Sequence, residues 1–242
     1  FQGGELELTG NVVHPQKRFY AGGASSVRGF AQNRLGPRVL TSDVENFLDY
    51  RAVGSDTIPP VCTPEAVADR TCDPGELADG AFFPRATGGS YLLEGNVEYR
   101  FAFGGEFQGV AFLDFGQVWR EGGGVSLGDV ELTPGIGVRY FSPVGPIRVD
   151  LGYRFRGAER LQVVTSQIRP YVAGADGADD RICIATLGVV PAPSDSACPT
   201  GRVPIPWVQE NALAILRDPV LYGSDALTWR NLQIHFSIGQ AF

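Results

Sequence analysis

The 242-residue chain contains no methionine and only two histidines, His14 and His235. With no initiating residue, no leader can be read, and the chain is taken as a mature or partial segment of something longer. With so few imidazoles and no tight C-x-x-C spacing among the four cysteines, neither a zinc site nor any other cofactor is expected. No run approaches the roughly 18 consecutive apolar residues of a membrane-crossing helix. That excludes helical spans alone, because barrel strands alternate and barely register in hydropathy. Positive charge is short as well: 20 Lys and Arg against 27 Asp and Glu, a net charge of −7. The balance gives no electrostatic reason to bind nucleic acid.

What is abundant is glycine, 32 residues, with 17 prolines, a composition that disfavours helix and marks many turns. The cysteines fall as two local pairs, Cys62 with Cys72 and Cys183 with Cys198. They read as two short-range disulfides formed in an oxidising compartment.

Period-two alternation, the mark of a strand with two unlike faces, appears in six segments. In "ELELTGNVV" (5–13), Leu6, Leu8 and Val12 oppose Glu5, Glu7, Thr9 and Asn11. In "YLLEGNVEYRF", Tyr91, Leu93, Val97, Tyr99 and Phe101 oppose Glu94, Asn96, Glu98 and Arg100. "FQGVAFLDFGQVW" sets Phe107, Ala111, Leu113, Phe115 and Trp119 against Gln108, Asp114 and Gly116, but Val110, Phe112 and Val118 break the pattern by falling on the polar side. "ELTPGIGVRY", "IRVDLGYRFR" and "NLQIHFSIGQAF" complete the set, with Arg139, Asp150, Arg148 and His235 on the polar faces.

The connections alternate in length. Those at 103–106 and 142–146 are short; those at 14–89 and 157–228 are long and carry the cysteines. Aromatics gather at both ends of the segments, as at two bilayer interfaces. A soluble β-sandwich also alternates, but here the polar face is charged and loop length alternates by side. The expected fold is therefore all-β: a transmembrane antiparallel β-barrel with two long extracellular loops, its C-terminus periplasmic, in a bacterial outer membrane. Six strands are fewer than the eight of the smallest common barrels, so the segment reads as the C-terminal part of a larger one. The stretch "PIPWVQENALAILRDP" reads as a short helix, with Pro206 in its first turn and Pro219 ending it.

Four motifs resemble a known family, in its order. "RFYAGGASSVRGF" with "NRLGP" resembles the long sixth extracellular loop of BamA/TamA-type outer-membrane assembly barrels, with its V-R-G-F/Y signature. "FLDFGQVW" resembles the family's thirteenth strand, "GIGVRYFSPVGPIRVDLGYRF" the next hairpin, and "IHFSIGQAF" the closing strand. The likeness is weak within 41–88 and 157–228. It implies that residues 1–242 are about six C-terminal strands of a roughly sixteen-stranded barrel, with N-terminal strands and any POTRA domains absent.

The resemblance also assigns roles. The 14–89 loop is expected to fold back into the lumen, with Arg28 paired to Asp114 and Glu98 on the inner wall. Val27, Gly29 and Phe30 complete the loop motif, and Gly22 and Gly23 allow a tight turn. Phe236, Ile238 and the terminal Phe242 form the outward stripe that such barrels show to the assembly machinery. Gly239 matches the position where the last strand kinks inward, weakening a proposed lateral gate; accommodation of barrel curvature is the alternative reading.

The implied function is a non-enzymatic insertase that folds nascent outer-membrane β-barrels by strand templating at a lateral seam. Outer-membrane lipids are implied partners, and assembly lipoproteins further ones. Ser25 and Ser26 have no histidine and aspartate context for hydrolysis. The alternatives are a two-partner-type polypeptide secretion pore of the same superfamily, or a structural, porin-like barrel.

Overall fold

The computed structural model describes residues 15–53, 56–120, 124–143, 145–155, 157–186, 198–199, 201–223 and 228–239. The expected first strand, 5–13, and Phe242 lie outside the described residues. The chain divides into two units. One comprises Phe1–Arg38, Arg85–Ala158 and Gly223–Phe242; the other comprises Val39–Pro84 and Glu159–Tyr222.

The first unit is built on five long strands: β1 (Tyr91–Gly104), β2 (Phe107–Trp119), β3 (Glu131–Ser142), β4 (Gly145–Tyr153) and β5 (Leu232–Ile238). They pair in chain order as an antiparallel meander. The two short connections are tight turns, and Gly104, Gly105 and Gly145 supply the positive φ those turns need. Successive side chains point to opposite faces, so the alternation seen in the sequence becomes two unlike surfaces. Val97, Tyr99, Leu113, Ile136, Val138, Ile234 and Phe236 stand exposed on one face. Phe112, Asp114, Thr133 and Asp150 are buried on the other. An apolar outer face and a charged inner face are what a strand wall between lipid and lumen requires. Among the described residues no helix is long and apolar enough to cross a membrane, which says nothing of crossing by strands.

The second unit gathers the interiors of both long loops. Its sheet has the order Arg181–Ala185, Arg202–Ile215, Val163–Pro170, Arg38–Thr41, Phe83–Ala86. Arg38–Thr41 and Val163–Pro170 run parallel, Leu40 opposite Val163, so this pairing joins segments more than a hundred residues apart. Beneath lies a core including Leu40, Phe47, Leu48, Val67, Leu77 and Phe82 from one loop and Leu161, Val163, Ile168 and Leu216 from the other. Arg202 donates to both carboxylate oxygens of Asp49 (2.9 and 3.1 Å), a further tie between the two loops. Short helices Glu45–Leu48 and Pro64–Ala68 flank the sheet; Thr63 caps the latter by accepting from the Ala66 N–H, with Pro64 in its first turn. Disulfides join Cys62 to Cys72 and Cys183 to Cys198.

The expected helix around 206–219 is not formed. Arg202–Ile215 is a 14-residue strand, paired on both sides. Val208, Ala214 and Leu216 are buried while Leu213 and Ile215 are exposed, a period of two rather than 3.6. Cross-strand pairing overrides the helix-forming run "QENALAIL". Pro206 is tolerated because it sits where the register against Arg181–Ala185 shifts.

Candidate functional site

Residues 19–37 form a compact loop against the charged face of the wall. Its base is closed by two isolated bridges, Phe19 with Gly89 and Ala21 with Leu35. The tip is closed by Gly23 N–H donating to Phe30 O (3.0 Å) and Ser26 N–H to Gly23 O (3.1 Å). Gly22 and Gly23 take φ of +99° and +115°, and a Cβ on Gly22 would lie 2.8 Å from Ala31 O. Glycine is needed there on both counts.

Two kinds of contact hold the loop on the wall. The first is apolar: Val27 and Phe30 are buried with Ala21, Leu35 and Val118. Val118 is one of the three residues that broke the alternation of its strand. The second is ionic and centres on Arg28, whose exposure is 1%. Its Nε donates to Asp114 Oδ2 at 2.8 Å and its Nη2 to Asp114 Oδ1 at 2.6 Å, a two-pronged pair. Nη1 reaches Glu98 Oε1 at 2.8 Å and Asp150 Oδ2 at 3.3 Å. The Arg28 backbone N–H donates to Asp114 Oδ2 as well, at 2.9 Å. The guanidinium carbon lies 3.4 Å from the centroid of the Phe112 ring, so the planar cation is stacked on one face and forked along its edge. Phe112 is another of the alternation breakers.

The carboxylates have further partners. Glu98 also accepts from Arg139 (3.0 Å) and Arg100 (2.8 Å), and Asp150 accepts from Arg148. Four guanidiniums thus meet three carboxylates. Asp114, wholly buried, is paired to Arg28 alone among these arginines. A buried carboxylate tolerates its loss of water only when so paired.

Close approach completes the arrangement. A Cβ on Gly29 would lie 2.3 Å from Thr133 Cγ2, and one on Gly152 would lie 2.5 Å from Arg28 O. His235 Nε2 is 2.9 Å from that same Arg28 O. Beside the loop is a cavity of about 450 Å³, lined by Ala24, Ser25 and Ser26, by Glu98, Arg100, Arg139 and Arg148, and by Gly239.

Of the residues singled out from sequence, Arg28, Asp114 and Glu98 are brought into direct contact, and Val27, Gly29, Phe30, Gly22 and Gly23 shape the loop that carries the arginine. Phe236 and Ile238 lie elsewhere, exposed on the opposite face of β5. Gly239 ends that strand with φ +94°, its N–H donating to Pro146 O at 2.9 Å. Asp150, Phe112, Thr133, Gly152 and His235 were not singled out. Alternation placed Asp150 and His235 on the polar face, but only the loop's position selects them.

The chain matches the family model of the Omp85 superfamily domain over residues 2–171.

Proposed function

The chain belongs to the Omp85 superfamily, and from that premise we propose that it is part of an insertase that folds nascent β-barrels into the bacterial outer membrane. The superfamily's general role, as outer-membrane barrels that insert or secrete proteins, holds for this chain. The finer reading is strand templating at a lateral seam. It is supported above all by the Arg28 loop seated on the inner wall, a plug that a porin-like barrel does not require. Gly239, directly after β5, supports a weak seam at that strand: it takes φ +94° while its N–H still bonds Pro146 O of β4, and a glycine weakens a strand locally. An incoming strand would add to such an edge by main-chain hydrogen bonds, with no cofactor. In this reading residues 1–242 are the C-terminal part of one barrel domain. The 14–89 and 157–228 loops are extracellular, the C-terminus is periplasmic, and Phe236, Ile238 and Phe242 serve as the barrel's own assembly signal.

The test is folding of a urea-denatured outer-membrane barrel into vesicles containing the full-length protein, followed by heat-modifiable gel mobility. Faster folding than in empty vesicles is expected. A full-length protein that leaves client folding unchanged but passes a soluble polypeptide across the vesicle would move the assignment to a secretion pore.

A further inference from the structure

The Arg28 carbonyl is gripped by the last strand of the wall. β5 pairs with β4 over seven residues, Leu232 to Ile238, and His235 stands at the middle of that ladder opposite Asp150. Its Nε2 lies 2.9 Å from Arg28 O. A carbonyl oxygen only accepts, so the proton of this bond belongs to Nε2. The approach is possible because Gly152, the β4 neighbour of Gln233, has no side chain to hold the loop away. The two ends of the Arg28 residue are thus tied to different strands: its N–H to Asp114 on β2, its C=O to His235 on β5.

We infer that His235 is a positioning residue that couples the closing strand to the inserted loop. Displacing β5 from the wall breaks a hydrogen bond that helps seat Arg28. Releasing the loop likewise removes one of the contacts that hold β5 in register. The bond is independent of any client. Its functional weight rests on the insertase reading, in which β5 borders the seam.

Two measurements test the coupling without client insertion. In the full-length protein labelled with 15N-histidine, the imidazole signals that disappear in His235→Gln belong to His235, and their nitrogen shifts at pH 8 report the tautomer. The Nε2–H form is expected; an Nδ1–H form would overturn the inference, since Arg28 O could not then accept from Nε2. The second uses a cysteine in place of Val27, which is buried beside Arg28 in the seated loop, and its rate of maleimide labelling under non-reducing conditions. Loss of one hydrogen bond should raise loop opening about two- to tenfold in His235→Leu. His235→Gln, which keeps an amide donor, should return labelling towards the parent rate. Equal labelling in all three proteins, or equal increases in both variants, would refute the coupling. Heat-modifiable mobility of each variant checks that the barrel has folded. If the coupling holds but client folding is not accelerated, the insertase reading fails and the positioning role stands.

Discussion

Arg28→Ala is the sharpest perturbation available, and its effect can be reasoned from the contacts. Removing the guanidinium leaves Glu98 with Arg100 and Arg139, and Asp150 with Arg148. Asp114, fully buried, keeps only the backbone N–H of residue 28 from this group. Breaking a buried pair by removing one partner costs about 3–5 kcal/mol, chiefly because a charge is left uncompensated. The loss falls on the seating of the loop, since the wall's own ladder is untouched. At 1.4 kcal/mol per tenfold, the open population of the loop rises roughly 150- to 4,000-fold. Limited proteolysis with a non-specific protease, in the regime where cleavage tracks the open population, reads this directly at 19–37. Arg28→Lys keeps the charge but loses the fork and the stack on Phe112, and should fall between parent and Ala. The double substitution Arg28→Met with Asp114→Leu should recover most of the loss, because neither charge then remains buried alone. A rise of less than about fivefold in Arg28→Ala, the range of an exposed ion pair, would refute the argument.

Gly29→Ala and Gly152→Ala should each unseat the loop with every charged group intact, because the added Cβ would meet Thr133 at 2.3 Å and Arg28 O at 2.5 Å. Overpacking of this kind costs about 1–3 kcal/mol, and faster proteolysis at 19–37 is the readout. Reducing Cys62–Cys72 and Cys183–Cys198 should loosen the loop unit by about 2–4 kcal/mol per bridge. The strands of the wall should survive; loss of the barrel's heat-modifiable mobility on reduction would contradict the separation of the two units. Hydrogen bonds from Arg169, and then the Val172 N–H, hold the Asp176 carboxyl down to about 2. Its folded value lies below the unfolded one of about 3.9. Its contribution to the turn at 170–176 is therefore complete above that pH and is lost as pH falls towards 2. A carboxyl 13C titration with a midpoint near 3.9 would refute this.

The wall was legible because a strand's two faces differ only in parity, and parity is a local property of the chain. Tyr91–Gly104 and Leu232–Ile238 could be divided into lipid and lumen sides without any knowledge of neighbours. The flaw in that division carried information. Val118 and Phe112 broke the alternation because they face neither lipid nor open lumen but the docked loop. The 206–219 stretch misled for the opposite reason. Its residues suit a helix locally, and partners at 163–170 and 181–185 decide otherwise.

The sequence by itself determined the strand alternation, the loop signature around Arg28, and the charge that each face carries. These follow from neighbouring residues and from glycine's freedom at Gly22 and Gly23. Only the tertiary structure decided which carboxylates meet the arginine, since Glu98, Asp114 and Asp150 sit on three strands and converge through register and loop insertion. It alone also joined the two long loops into one core, because a parallel pair such as Leu40 with Val163 is stabilised by burial across a separation that no local pattern encodes.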